Sequence, residues 1–335
     1  MKVVITGGAG FIGSNFVHYW AQHHDSDEVV VIDALTYAGN RPNLFGVEDR
    51  IRFVHADIGD PSLVDELAGV GLIVNFAAES HNSLAVRDPG AFFRTNVLGT
   101  QTLLESARSA KVERFHHVST CEVYGDMALD DPGAFTELSP YRPRTPYNAS
   151  KAGADHAVRA YGETYGMAVT ITVCSNNYGR YQFPEKVIPL FTTNALRGIP
   201  LPVYASSSHR REWLHVDDHV RAIDLVVERG ALGETYNIGS GVEKSVDDIA
   251  SVVLSTLGKD PSLRQTVPDR PGHDRRYLLD SSKIHRDLGW EPHIGFDEGV
   301  RETIEWYAAN PQWWQPLLDR VPVDEASDWA GPPSR

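Results

Sequence analysis

One stretch of the chain concentrates side chains that can move protons. It runs from His117 to Lys151, passes through Ser119-Thr120-Cys121-Glu122 and closes on Tyr147-Asn-Ala-Ser-Lys151. A tyrosine and a lysine four residues apart share one face of a helix. An ammonium beside a phenol favours the phenolate and lowers a reference pKa of about 10. The spacing therefore predicts Tyr147 as a general base at neutral pH, with Lys151 as its cation and the hydroxyl of Ser119 or Thr120 beside it. That set suits oxidation of an alcohol. Cys121 and Glu122 add a thiol and a carboxylate that simple oxidation does not need.

These groups need a rigid frame, and the preceding sequence supplies one. Lys2 to Thr6 reads as a buried parallel strand, followed by Gly7-Gly8-Ala9-Gly10-Phe11-Ile12-Gly13 and a helical pattern over Ser14 to His23. Strand, glycine turn and helix in that order cradle a pyrophosphate, because the backbone can approach it and the helix N-terminus faces its charge. A second strand, Val29 to Ile32, delivers Asp33, 20 residues after Gly13. An acid there accepts hydrogen bonds from both ribose hydroxyls and repels a 2′-phosphate, which favours NAD over NADP. Strands at 52–55 and 72–76 then bring Asp57 and Ile58 toward an adenine and leave Ala77 and Ala78 at a strand end where a cofactor can come close. A short helix over 62–68, a helix over 91–110 and strands at 115–118 and 170–173 continue the alternation. The expected fold is α/β: a doubly wound parallel sheet with a smaller C-terminal substrate-binding lobe.

Beyond Gly179 the composition changes, with prolines, arginines and aromatics denser. The expected division is a cofactor-binding unit over 1–179 with a return segment near 212–240, a ligand lobe over 180–322 and a loose tail over 323–335. Val216 to Glu228 reads as the returning helix, and Ser245 as the cap of a later one. Cys174, flanked by strand residues, reads as core packing.

Charge narrows the partners. With 31 basic and 45 acidic residues the net charge is −14, which argues against a broad nucleic-acid surface but not against a small anion held by a few arginines. Two cysteines are too few for a disulfide framework, and no apolar run reaches the roughly 18 residues of a membrane span. No zinc-ligand spacing is present, so no metal is expected, and the protein reads as cytoplasmic.

With these residues in view, the chain resembles the extended short-chain dehydrogenase/reductase superfamily, and within it the dTDP-glucose 4,6-dehydratases. The resemblance rests on T-Y-A-G-N at Thr36, A-A-E-S-H at Ala77, S-N-N-Y-G at Ser175, F-P-E-K at Phe183 and D-R-P-G-H-D-R-R-Y at Asp269, and it spans residues 1 to about 318. It implies an NAD-dependent lyase acting on a nucleotide-diphosphate sugar, and a homodimer paired through helices 91–110 and 148–165. Tyr147, with Lys151 and Thr120, would take the 4-hydroxyl proton as hydride leaves carbon 4. Glu122 would take the proton from carbon 5, water would leave carbon 6, and the hydride would return there. Thr36 joins the cofactor contacts. Ser80, His81, Asn176, Glu185, Lys186, Arg211, Asn237, Arg270 and His273 match the positions that hold the nucleotide sugar.

Three departures stand out. The family's T-D-E is Thr120-Cys121-Glu122, so the aspartic acid that protonates the leaving hydroxyl is a thiol. A thiol with a reference pKa of about 8.5 is already protonated at pH 7 but donates hydrogen bonds poorly. Cys121 is a substitute acid, an acid for a different outcome, or a filler that leaves elimination to Glu122. The second reading resembles the NDP-hexosamine 5,6-dehydratase of tunicamycin assembly, which leaves an alkene. H-V-D-R-S is His81-Asn82-Ser83-Leu84-Ala85, and a glycine-containing turn is Ala205-Ser206-Ser207-Ser208. A 4-epimerase, which needs only Tyr147, Lys151 and NAD, and an NAD-binding sensor without catalysis complete the alternatives.

Overall fold

The computed structural model describes residues 1–269 and 274–321. The chain opens with β1 (Lys2–Thr6), α1 (Phe11–His23), β2 (Glu28–Asp33), β3 (Ile51–His55) and β4 (Leu72–Asn75). Then follow α2 (Asn82–Arg87), α3 (Pro89–Phe92), a π-helical run over Phe93–Gly99, α4 (Thr100–Ser109), β5 (Arg114–Thr120), a 3₁₀ turn over Cys121–Tyr124 and α5 (Pro146–Tyr165). Next come β6 (Val169–Cys174), β7 (Asn176–Tyr178), α6 (Val187–Arg197), β8 (Leu201–Tyr204), β9 (Arg210–His215), α7 (Val216–Arg229) and β10 (Thr235–Ile238). The last are β11 (Glu243–Ser245), α8 (Val246–Thr256), β12 (Arg264–Val267), α9 (Ser282–Leu288), α10 (Phe296–Ala309) and α11 (Pro311–Leu318).

Seven strands form one parallel sheet in the order β10-β6-β5-β4-β1-β2-β3. Its central strands are buried on both faces, so they read as continuous apolar runs. Alternate residues pack opposite layers. Val4, Ile73, Phe115 and Ile171 join Leu103, Leu104 and Val158, while Val3, Ile5, Val31 and Val74 join Phe16, Trp20 and Val220. Two small sheets, β11-β9-β7 and β12-β8, lie in the second half with a separate core of α6, α8 and α10 residues. The segment from Val216 returns to the first sheet: α7 packs beside α1, and β10 pairs with β6.

Helix ends follow their caps. Thr145 accepts a hydrogen bond from the Asn148 amide and Pro146 begins α5, which stops at left-handed Gly166. Ser245 and Asp248 form a reciprocal capping box on α8. By contrast, α1 starts at Gly10 with no side-chain cap, which leaves its first amides for another acceptor.

Several elements differ from expectation. The helix over 91–110 is interrupted by the π-helical run, whose wide turn turns Asn96 inward to bond both the amide and the carbonyl of Glu79 and the Ser150 hydroxyl. Helix α2 was not legible. Its cap is the imidazole of His81, which accepts from the Ser83 and Leu84 amides. The segment at 62–68 forms only a 3₁₀ turn, Pro61–Asp65, capped by Asp60.

His116 is enclosed between Thr170 and Thr172, its ring nitrogens 2.9 and 3.1 Å from their hydroxyls. Burial pushes its pKa down to about 3. Below about pH 6.5 the unfolded chain binds a proton that the folded ring refuses, so this ring's contribution to stability is lost as pH falls. His116→Gln removes that linkage. In urea unfolding at pH 7 and pH 5, the stability gap between parent and variant is expected to close by about 1.4 kcal/mol per pH unit below pH 6. A gap independent of pH would contradict this.

Candidate active site

The carboxyl ends of β1, β2, β4, β5 and β6 open into one cavity of about 440 Å³, bounded on its far side by Lys186, Tyr204, Arg211, Asp274 and Tyr277. Ligands of doubly wound sheets bind at this edge.

At one end lies the glycine turn. Gly7 has φ +66°, and a Cβ there would sit 2.6 Å from the Ala77 amide nitrogen. A Cβ on Gly13 would collide with the Gly7 carbonyl oxygen. Only glycine lets β1, the turn and the end of β4 meet backbone to backbone. Asp33 stands beside the turn, with its two carboxylate oxygens accepting from the Ala9 and Leu35 amides at 2.9 and 2.8 Å. Burial raises its pKa and these two bonds oppose that. All the expected cofactor contacts, Gly7, Gly10, Phe11, Ile12, Gly13, Asp33, Thr36, Asp57, Ile58, Ala77, Ala78, Tyr147 and Lys151, line the cavity. The uncapped start of α1, the glycine cradle and the Asp33 acceptor fit a dinucleotide without a 2′-phosphate, which is NAD.

At the centre stand Thr120, Glu122, Tyr147 and Lys151. Thr120 hydrogen-bonds the Tyr147 phenol, which lowers its pKa, but burial and then the Glu122 carboxylate outweigh this and hold the phenol well above its ordinary value. This corrects the expected lowered pKa. The Lys151 ammonium donates to the Val118 carbonyl oxygen at 2.7 Å and lies 3.3 Å from the His117 ring, beside the buried Asp155. Burial lowers the Lys151 pKa, and Asp155 partly offsets that. Glu122 is held by Asn82, whose amide donates to it at 3.0 Å while its oxygen accepts from Thr145 at 2.9 Å. Asn82 belongs to the departure after His81 and was not singled out as functional. An amide in a position that is usually apolar was the available signal.

Cys121 is buried just behind this group, near enough to Tyr147, Glu122 and Asp274 for their charges to interact. It is fully buried and lies outside the cavity lining, packed with Val123, Tyr124, Tyr277 and Leu279, while Thr120 and Glu122 on either side face inward. A 3₁₀ turn advances about a third of a revolution per residue, so three consecutive side chains cannot share one side. Burial pushes the Cys121 thiol well up, and the Glu122 charge adds to it. Of the three readings of Cys121, its full burial favours the filler. Cys174 is buried as core, with its thiol 3.4 Å from the Ser119 carbonyl oxygen, and it also touches the cavity floor.

At the far end Ser80, His81, Asn176, Glu185, Lys186 and Arg211 line the cavity. Lys186 donates to the Ser80 carbonyl oxygen at 3.0 Å, Tyr37 donates to Glu185 at 3.0 Å, and His81 lies 3.3 Å from Glu185. Tyr277 donates to Asn176 at 2.6 Å, and the Arg211 guanidinium stacks 4.9 Å over the Tyr277 ring. Asn237 is a correction. It lies outside the cavity lining, accepts from Tyr124 and donates to the Phe135 carbonyl oxygen, because β10 sits at the sheet edge and turns it into the protein. Arg270 and His273 fall outside the described residues. Asp274, inside a quoted motif but not named for a role, lines the cavity, as does Tyr277.

Comparison with known proteins gives a consistent picture. Residues 4–303 match the family model described as GDP-mannose 4,6 dehydratase. The dTDP-glucose 4,6-dehydratase of Mycobacterium tuberculosis is 49% identical over 321 residues, covering 95% of this chain and 97% of that protein. The crystal structure of DesIV, a dTDP-glucose 4,6-dehydratase from Streptomyces venezuelae with NAD bound, superposes with a TM-score of 0.91 at 51% identity, covering 95% of this chain and all of that one. A UDP-glucose 4-epimerase from Thermotoga maritima, with UDP-glucose, superposes at 0.86 with 29% identity, covering 93% of this chain and all of that one.

Both cysteines are buried with raised thiol pKa values. A chromogenic disulfide reagent at pH 8 is expected to react with the native protein roughly 10³-fold more slowly than with a free thiol, and with both thiols after unfolding. One fast-reacting native thiol, mapped to Cys121 by peptide mass, would contradict the placement outside the cavity.

Proposed function

This chain belongs to the GDP-mannose 4,6 dehydratase family, and on that footing we propose that it is an NAD-dependent nucleotide-sugar 4,6-dehydratase with dTDP-glucose as its substrate. The observation that carries the reading is the joint presence of Tyr147, Thr120 and an Asn82-held Glu122 in one cavity with a dinucleotide cradle. Similarity over almost the whole length to dTDP-glucose 4,6-dehydratases supports the sugar and the base.

The residues divide the work. Tyr147 takes the proton of the 4-hydroxyl, with Thr120 hydrogen-bonded to its phenol. Bound NAD supplies an oxidised ring whose positive charge favours the phenolate, a hydride acceptor for carbon 4 and, afterwards, a hydride donor for carbon 6. Once carbon 4 is a ketone, the hydrogen on carbon 5 is acidic, and Glu122 removes it. The Asn82 amide donates to that carboxylate and orients it. Gly7, Gly10, Phe11, Ile12 and Gly13 hold the pyrophosphate and Asp33 the ribose; Thr36, Asp57, Ile58, Ala77, Ala78 and Lys151 complete the cofactor contacts. Lys186 and Arg211 bind the sugar diphosphate, with Ser80, His81, Asn176 and Glu185 around the hexose. A 4-epimerase needs no carboxylate at carbon 5, and Glu122 with its dedicated partner favours elimination.

We further propose a homodimer and a cytosolic location. Phe93 and Leu98 on the π-helical run and Tyr165 at the end of α5 are 42%, 59% and 54% exposed, an apolar face that a second copy would cover. Leu98→Arg is expected to convert a dimer to a monomer in light scattering; a parent that is already monomeric would contradict the pairing. Among the described residues no helix is long and apolar enough to cross a membrane.

The test of function is incubation with dTDP-glucose, followed by mass spectrometry and proton NMR. Loss of one water, a methyl at carbon 6 and no net NADH are expected. Tyr147→Phe is expected to lower kcat by roughly 10²- to 10⁴-fold, and Glu122→Gln to stop before water is lost. An exocyclic methylene, or an unchanged mass with inverted carbon 4, would overturn the reading.

A further inference from the structure

Elimination needs an acid for the departing oxygen, and Cys121 is fully buried and does not line the cavity. Building on the dehydratase reading, we propose that Asp274 is the catalytic acid that protonates the leaving 6-hydroxyl.

The geometry of Asp274 is that of a group prepared for this. It lines the cavity that holds Glu122 and Tyr147, yet is only 3% exposed. Its Oδ1 is enclosed and has no hydrogen-bond partner among the described residues. The Arg144 guanidinium lies 3.6 Å from that oxygen, beyond hydrogen-bond reach, and is committed to Asp126 at 2.9 Å. An enclosed carboxyl oxygen without a donor favours the protonated acid, because the charged form has nothing to replace its water. The backbone on its C-terminal side is held: Arg211 donates to the Asp274 carbonyl oxygen, and the Arg275 amide donates to Asp126 at 2.5 Å. The carboxyl therefore stays at the cavity wall.

Among the described residues the charges bearing on Asp274 can be assigned. Burial and then the Glu122 carboxylate raise its pKa, Asp126 adds to them, Arg211 and Arg144 pull the other way, and it settles at about 7. Two carboxyls in one cavity whose environments separate them are a recurrent acid and base pair. Near pH 7 a large share of Asp274 carboxyls keep a proton that an ordinary aspartate has lost.

The step balances. Glu122 takes the proton from carbon 5, and the electrons of that bond form the double bond to carbon 6. The carbon–oxygen bond at carbon 6 breaks with its electron pair, and the Asp274 proton joins that oxygen to give water. When hydride returns to carbon 6, Glu122, whose proton has exchanged with solvent, delivers a proton to carbon 5. Tyr147 releases the 4-hydroxyl proton to solvent, and Asp274 takes one up.

The test compares dTDP-glucose with its 6-deoxy-6-fluoro analogue, because fluoride leaves without a proton. Asp274→Asn is expected to lower kcat about 100-fold with dTDP-glucose and by less than about five-fold with the fluoro sugar. The basic limb of the parent's pH profile, near pH 7, is expected with dTDP-glucose and absent with the fluoro sugar. Thermal melting and retained NAD are measured on the same variant. Undiminished turnover of dTDP-glucose by Asp274→Asn, or an equal loss on both sugars, would overturn the role while leaving the dehydratase reading intact. A parent that loses neither water from dTDP-glucose nor fluoride from the analogue overturns both.

Discussion

Exclusion of water from the floor of the cleft decides the charge state of the groups in it. Tyr147 is held well above its ordinary pKa, Lys151 is lowered, Cys121 and Asp274 are raised, and in each case burial is the leading cause. Each is pushed toward its neutral form. In the free protein burial thus works against charge on these groups. On the proposed reading, a cationic nicotinamide ring would favour the Tyr147 phenolate, and a sugar diphosphate would meet Lys186 and Arg211 at the far wall. A site of this kind does little until both ligands are bound.

The scaffold explains why such a floor can exist. Backbone contact between Gly7 and Ala77 closes the sheet edge so tightly that no side chain fits between. The Lys151 ammonium is anchored on the Val118 carbonyl oxygen, and its neighbours His117 and Asp155 are enclosed behind it. Asn96, turned inward by the π-helical run, ties the Glu79 backbone to Ser150 of α5 and so links the β4 loop to the helix that carries Tyr147. Moving any one of these elements would open the floor to water.

Much of this was legible from residue order alone, for physical reasons. Apolar runs report buried strands, glycine spacing reports a close backbone approach, and an i, i+4 pair reports a shared helix face, so the sheet, Asp33, Tyr147 and Lys151 were readable. What the sequence hides is direction and dryness. Nothing in Thr120-Cys121-Glu122 says that the middle side chain turns into the core, because that depends on the 3₁₀ geometry of the turn. The Tyr147 pKa was misjudged because proximity to a lysine is visible in spacing and burial is not. Asn237 resembled a ligand contact because the motif was visible and its bond with Tyr124, over a hundred residues away, was not. The bond from Asn82 to Glu122 and the enclosure of Asp274 arise from folded contacts that residue order does not carry.

The central claim is that one enclosed site oxidises carbon 4, eliminates water and returns the same hydride to carbon 6. Its most direct test is turnover of dTDP-glucose carrying deuterium on carbon 4. The account predicts product with one deuterium in the carbon 6 methyl group and, in heavy water, one solvent deuteron on carbon 5. Deuterium retained on carbon 4, or released from the protein in free reduced cofactor, would contradict it.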